Sequence, residues 1–137
     1  MLDTNVISEL IRPRPEPKVV SWIETVDEGL LYLSVLTVGE IRKGIASLTD
    51  ASRRVKLEGW VDRDLHVRFA GRILPIDLMV ADRWGRLAGK AAGQGLQIPV
   101  IDGLLSASAL QFDLVLVTRD TRHLSTAGVP FFNPWKD

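Results

Sequence analysis

The segment Pro99–Asp120, PVIDGLLSASALQFDLVLVTRD, restricts the fold of this chain more than any other stretch. Its first half is apolar at helical spacing: Leu105 and Ala109 form one stripe, widened by Leu104, Ala107 and Leu110. Asp102 stands where that helix opens. Phe112 and Asp113 turn the chain into Leu114-Val115-Leu116-Val117, a run too short and too branched for another helix. Such a continuous apolar run reads as a strand buried on both faces, the pattern of a parallel sheet covered by helices. Thr118, Arg119 and Asp120 follow directly. One acid therefore opens a helix, and another lies just past the carboxyl end of a buried strand, the edge at which open α/β sheets bind ligands.

The same alternation runs through the rest of the chain. Leu2 is the final residue of a first strand that is very short or truncated, and Val6–Ile11 is a short helix. Three alternating prolines between Arg12 and Pro17 stop it. A second helix, about Lys18 to Thr25, carries Val19, Trp22 and Ile23 at helical spacing, and Leu30–Ser34 is the second strand. Thr37-Val38-Gly39-Glu40 has the hydroxyl and the acid of a capping box, ahead of a helix bearing Ile41, Ile45 and Leu48. A polar-rich helix spans Asp50 to about Ala70, and Ile73–Ile76 is strand-like. Asp77–Ala92 is amphipathic, with Val80, Trp84, Leu87, Ala88 and Ala91 on its buried face and Gly93 and Gly95 at its end. Leu124–Gly128 is a turn or short helix, and Val129–Trp135 a last strand and tail. Strands alternating with helices predict an α/β fold, one domain over residues 1–137 with a central, mostly parallel sheet flanked by helices.

Composition removes several alternatives. The chain has no cysteine, which excludes disulfides and thiolate metal sites. No apolar run approaches the roughly 18 residues of a membrane span, and no signal peptide is visible, so a cytoplasmic protein is expected. Lys and Arg number 17 and so do Asp and Glu, so no basic excess marks a nucleic-acid binder. Any such role must come from a local site.

Four carboxylates are candidates for that site: Asp3, Glu40, Asp102 and Asp120. Each is placed at, or one helical turn beyond, the carboxyl end of a predicted strand, so a parallel sheet brings them to one edge. At an effective dielectric of about 20, two like charges about 5 Å apart cost roughly 3 kcal/mol. A divalent cation removes that cost. Oxygen-only donors favour Mg²⁺ or Mn²⁺ over zinc, and such a site suits hydrolysis of a phosphodiester. Capping competes with this reading at every position: Asp3 and Asp102 can be N-caps, Glu40 can close a box with Thr37, and Asp120 can be a turn residue. Thr4, Asn5, Ser34, Thr37 and Thr118 can orient acids or simply cap. Arg42, Lys43, Arg119, Arg122 and His123 can meet phosphates or simply be solvated.

LDTNV at Leu2–Val6, SVLTVGEIRKGI at Ser34–Ile45, PVIDGLLSASAL at Pro99–Leu110, LVTRDTRHL at Leu116–Leu124 and the closing NPW resemble the PIN-domain family. Within it the likeness is strongest to VapC-type toxins of bacterial toxin–antitoxin pairs, in the FitB-like branch. The resemblance covers essentially the whole chain in order. It implies a PIN-like α/β/α sandwich and a Mg²⁺- or Mn²⁺-dependent endoribonuclease whose metal ligands are Asp3, Glu40, Asp102 and Asp120, supported by Thr4 and Thr118. It further implies a homodimer, blocked by a small antitoxin, that reaches promoter DNA only within the antitoxin complex. An arginine on the antitoxin is expected to enter the acidic pocket, with apolar contacts around Ile41–Leu65 and Trp60 as an anchor. A competing reading is a PIN-fold binding subunit that acts in an antitoxin–DNA complex with little cleavage. A receiver-type phosphoacceptor domain is disfavoured, because Asp3-Thr4 stands where adjacent acids are required and Thr118-Arg119 where a lysine is.

Overall fold

In the computed structural model, which describes all residues 1–137, the sheet is assembled from very short parallel pieces. Strand β1 (Leu33–Ser34) pairs with β2 (Ile73–Leu74), and β3 (Leu116–Val117) pairs with β4 (Phe131–Phe132), both in parallel. Met1–Asp3 lies between the two pairs and joins them. Leu2 bridges Val117 in parallel, its N–H donates to Tyr32 O, and Asp3 N–H donates to Val117 O. The segment before Asp3 is thus the centre of the sheet.

Alternation along these pieces builds two cores. Successive side chains on a strand point to opposite faces. Leu2, Leu33 and Val117 join one core with Val6, Ile7, Ile41 and Ile45, while Met1 and Leu116 join the other with Leu105, Ala109, Leu124 and Val129. The first face is covered by α1 (Thr4–Leu10), α2 (Pro17–Thr25) and α3 (Val35–Ala46), and by the chain from α4 (Ala51–Trp60) to α5 (His66–Arg68). The second is covered by α7 (Val100–Gln111), against which α6 (Leu78–Gly93) packs. This is the expected layering of helices on both sides of a parallel sheet.

Several local expectations need correction. The second strand keeps only Leu33 and Ser34, because Glu28–Leu30 forms a 3₁₀ turn that leaves Leu30 exposed. Val115 is exposed, so only Leu116 and Val117 of the apolar run are buried on both sides. The long helix from Asp50 does run on to Arg68, but with a π segment, Val61–Leu65, inside it. Val61, Leu65 and Phe69, four apart, share one face and all enter the core. Ser34, not Thr37, caps α3, accepting from Leu36 N–H at 3.1 Å. Thr37 lies inside that helix with its hydroxyl buried and unpartnered. Helix α7 begins at Val100 behind Pro99, with no side-chain cap, so Asp102 is its third residue and no strand precedes it.

Candidate metal centre

Two of the four acids leave the sheet edge directly. Asp3 ends the central segment and caps α1: its Oδ1 accepts from Thr4 N–H at 2.7 Å. Its Oδ2 accepts from Thr118 Oγ at 2.6 Å and from Asn5 Nδ2 at 3.1 Å. Thr118 is buried at the end of β3, and Asn5 Nδ2 also reaches its hydroxyl at 3.2 Å. Asp120 follows two residues later in the loop. Glu40 and Asp102 arrive from helices, in the second turn of α3 and the first turn of α7. Thr4 Oγ1 donates to Glu40 Oε1 at 2.5 Å, linking α1 to α3.

All four line one cleft of about 380 Å³, together with Thr4, Asn5, Arg12 and Arg119. Their electrostatics show mutual influence. The Asp102 carboxyl is raised above the usual carboxylate range by partial burial first, then by Asp3, Asp120 and Glu40. Asp120 moves the other way, to about 2, because the Arg122 guanidinium grips it. Arg122 Nε donates to Oδ1 at 2.9 Å and its terminal nitrogen to Oδ2 at 2.6 Å. No three of these acids are drawn together into a ready coordination shell as the side chains stand. Each of Asp3, Glu40 and Asp120 is instead held by a donor of its own. Those donors are hydroxyls, an amide and one solvent-exposed guanidinium, and the donor set on offer is all oxygen. That chemistry fits a hard divalent cation.

The capping alternatives divide in an informative way. Asp3 does cap a helix, and Asp120 does accept from a turn N–H, that of Arg122 at 3.2 Å. Glu40 closes no capping box and Asp102 is no N-cap, so capping explains neither. Among the flanking candidates Arg119 reaches the cleft, joined there by Arg12, which the sequence did not single out, whereas Arg42 pairs with Asp62 on the surface. His123 lines a neighbouring cavity instead.

Two supporting residues escaped the sequence reading. Glu9 is 5% exposed; it accepts from Glu16 N–H at 2.8 Å and from Arg12 at 3.1 Å, fixing the proline-rich turn at the cleft's edge. An acid amid the apolar residues of α1, one turn before RPRPEP, was the available signal. Asn133 is 4% exposed, and its Nδ2 donates to Arg119 O at 3.3 Å, tying the NPW tail to the loop that carries Asp120.

Residues 1–129 match the family described as the PIN domain. The chain belongs to that family. This PIN domain is 40% identical over 137 residues to toxin FitB of Neisseria gonorrhoeae, covering all of this chain and 99% of the relative. It is 36% identical over 136 residues to VapC ribonuclease Y4jK of Sinorhizobium fredii, covering 99% and 97%. The crystal structure of FitAcB from Neisseria gonorrhoeae superposes with a TM-score of 0.95 at 40% identity, covering 99% of this chain and 98% of that one. A DNA-bound VapBC of Salmonella typhimurium, at 20% identity and a TM-score of 0.78 over 98% and 96% of the chains, shares the fold.

Proposed function

We propose that this chain is the toxin of a toxin–antitoxin pair and acts as a Mg²⁺- or Mn²⁺-dependent endoribonuclease. The observation that carries the reading is the single cleft that Asp3, Glu40, Asp102 and Asp120 line together, with Asp102, which caps nothing, raised by burial first and then by the other three acids. Its relatives' names, a toxin and a VapC ribonuclease, point the same way.

Asp3, Glu40, Asp102 and Asp120 would hold the cation. When bound, it supplies the positive charge that offsets their repulsion, acidifies a water and neutralises a phosphodiester. Thr118 and Asn5 orient Asp3, and Thr4 orients Glu40, so the acids present fixed oxygens. Arg12 and Arg119 are the cations lining the cleft. Glu9 steadies the first, and the Trp135 ring, 5.3 Å from its guanidinium, steadies the second. Both can pair with phosphates of an RNA strand that enters the cleft.

An apolar groove adjoins this cleft through Ser8, Arg12 and Glu40, and is lined by Ile11, Ile41, Ile45, Leu48 and Leu57. It suits the apolar part of an antitoxin segment whose arginine enters the acids; Leu57 lines it and Trp60, the anchor expected from the sequence, does not, although both pack against the core. A second copy of the chain is the other expected partner, readable by light scattering.

A solved relative, FitAB, is bound to a DNA fragment, which favours a second reading as a binding subunit on promoter DNA. Total RNA incubated with the purified chain and Mn²⁺, with mapping of the new ends, separates the two. Cleavage that chelator abolishes is expected. Intact RNA beside a chain that still forms an antitoxin–DNA complex would favour the binding subunit.

A further inference from the structure

Asp3, Asp102 and Asp120 also form the wall of a second cavity, of about 230 Å³, on their other side. Its character is opposite to that of the acidic cleft, which no apolar residue lines. Buried Leu105, Leu116 and Leu124 form the floor, with the buried Ser106 among them; Gln97 and His123 stand at the rim. We propose that this cavity receives one unstacked nucleobase of a single-stranded RNA, while the adjoining phosphate lies at the acids. The proposal rests on the ribonuclease reading and names what that site selects.

Three features favour a base. The cavity is smaller than the roughly 300–1,000 Å³ of sites for drug-sized ligands, which suits a single ring system. Its three carboxylates outnumber its one lining cation, Arg122, which is already paired with Asp120, so a second phosphate is disfavoured, whereas a neutral ring with an apolar face settles on the leucines. The polar groups at hand can meet a base edge: the Gln97 amide, Ser106 hydroxyl and His123 ring each donate and accept, and carboxylates accept from exocyclic amines. Because the two cavities share one wall, a single nucleotide can place its phosphate in one and its base in the other. A base held in a duplex stack cannot do this, so the substrate is a loop or an unpaired strand.

The test walks a single abasic ribose through a short single-stranded RNA cut by the wild type. One position beside the cut should lose about tenfold or more in kcat/KM when abasic, with the others little changed. Gln97→Trp, an exposed change that fills the mouth, should cut intact and abasic strands alike. With Ca²⁺ in place of Mn²⁺, so that strands bind without being cut, the intact strand should shift the His123 ring resonances, and the strand abasic at the sensitive position should not. RNA cut equally well at every abasic position, with His123 unmoved, overturns the base pocket and leaves the ribonuclease reading standing. A wild type that cuts no RNA removes both.

Discussion

The hydroxyl of Thr4 donates to Glu40 Oε1 at 2.5 Å and so joins the first residue of α1 to the middle of α3. The same residue's N–H donates to Asp3. Thr4 therefore sets the relative placement of two acids that lie 37 positions apart in the chain (40 − 3). Thr4→Val keeps the shape and the Asp3 contact but leaves Glu40 without its donor. We expect a loss of about 1 kcal/mol in stability, since water can reach the half-buried Glu40. Weaker Mn²⁺ binding by titration calorimetry should accompany it, with Thr4→Ser near wild type. Equal Mn²⁺ affinity for all three proteins would show that this hydroxyl plays no part in the site.

Asn133 offers a second test, at the far end of the chain. Its side chain donates to Arg119 O and accepts from Trp135 N–H at 3.0 Å, in a setting 4% exposed. Asn133→Ala strands both partners and should cost about 1–3 kcal/mol. Hydrogen exchange should rise at Thr118–Asp120 more than in α7. Uniform loosening would place the effect in the global fold and not in this loop.

Gly103 and Trp84 make a third prediction. A Cβ on Gly103 would stand 2.9 Å from the indole Nε1 of Trp84, a buried N–H that has no acceptor. Helix α7 thus meets α6 closely at the residue after Asp102. Gly103→Ala favours the helix by up to about 1 kcal/mol, but the forced shift costs about 1–3 kcal/mol, so the net effect is destabilising. The melting temperature should fall, and Mn²⁺ binding should weaken because the start of α7 moves. A stabilised variant would mean that Trp84 yields freely.

The layering of the fold was legible because Leu105, Ala109, Leu116 and Val117 follow periods set by helices and sheets. The acids were legible only as a set. What the sequence hid were effects decided by tertiary packing. Thr37 and Glu40 satisfy the capping-box pattern, yet Ser34 wins the cap because β1 ends there and its hydroxyl already faces Leu36 N–H. The π segment leaves no mark in the spacing, since Val61, Leu65 and Phe69, four apart, would share one face of an ordinary helix as well. Asn133 binds across 14 positions, a contact that no local pattern announces. Arg122 on Asp120 combines a neighbour in sequence with a geometry visible only in three dimensions.

Asp102→Asn separates the metal site from a merely local role. Asp102 lies in the first turn of α7, where a negative charge gains about 0.3–1 kcal/mol from the helix dipole. Its raised carboxyl shows that burial and the three neighbouring acids outweigh that gain. Above the folded-state pKa both folded and unfolded chains carry the charge, and the folded one bears the repulsion. As the pH falls through that pKa towards the unfolded value of about 3.9, protonation relieves it. The metal-free Asn variant should therefore melt above wild type near neutrality, with the gap closing on acidification. Asp120, lowered to about 2, is present in both proteins and largely cancels from the comparison. With Mn²⁺ the order should reverse, because an ion that binds only the folded state raises the wild-type melting temperature by mass action and the variant has lost a ligand charge. RNA cleavage should drop by orders of magnitude. Melting curves with metal and with chelator at several pH values, beside one cleavage assay, read all of this. A variant that cuts RNA like wild type and melts the same with or without Mn²⁺ would end the assignment of Asp102 as a ligand.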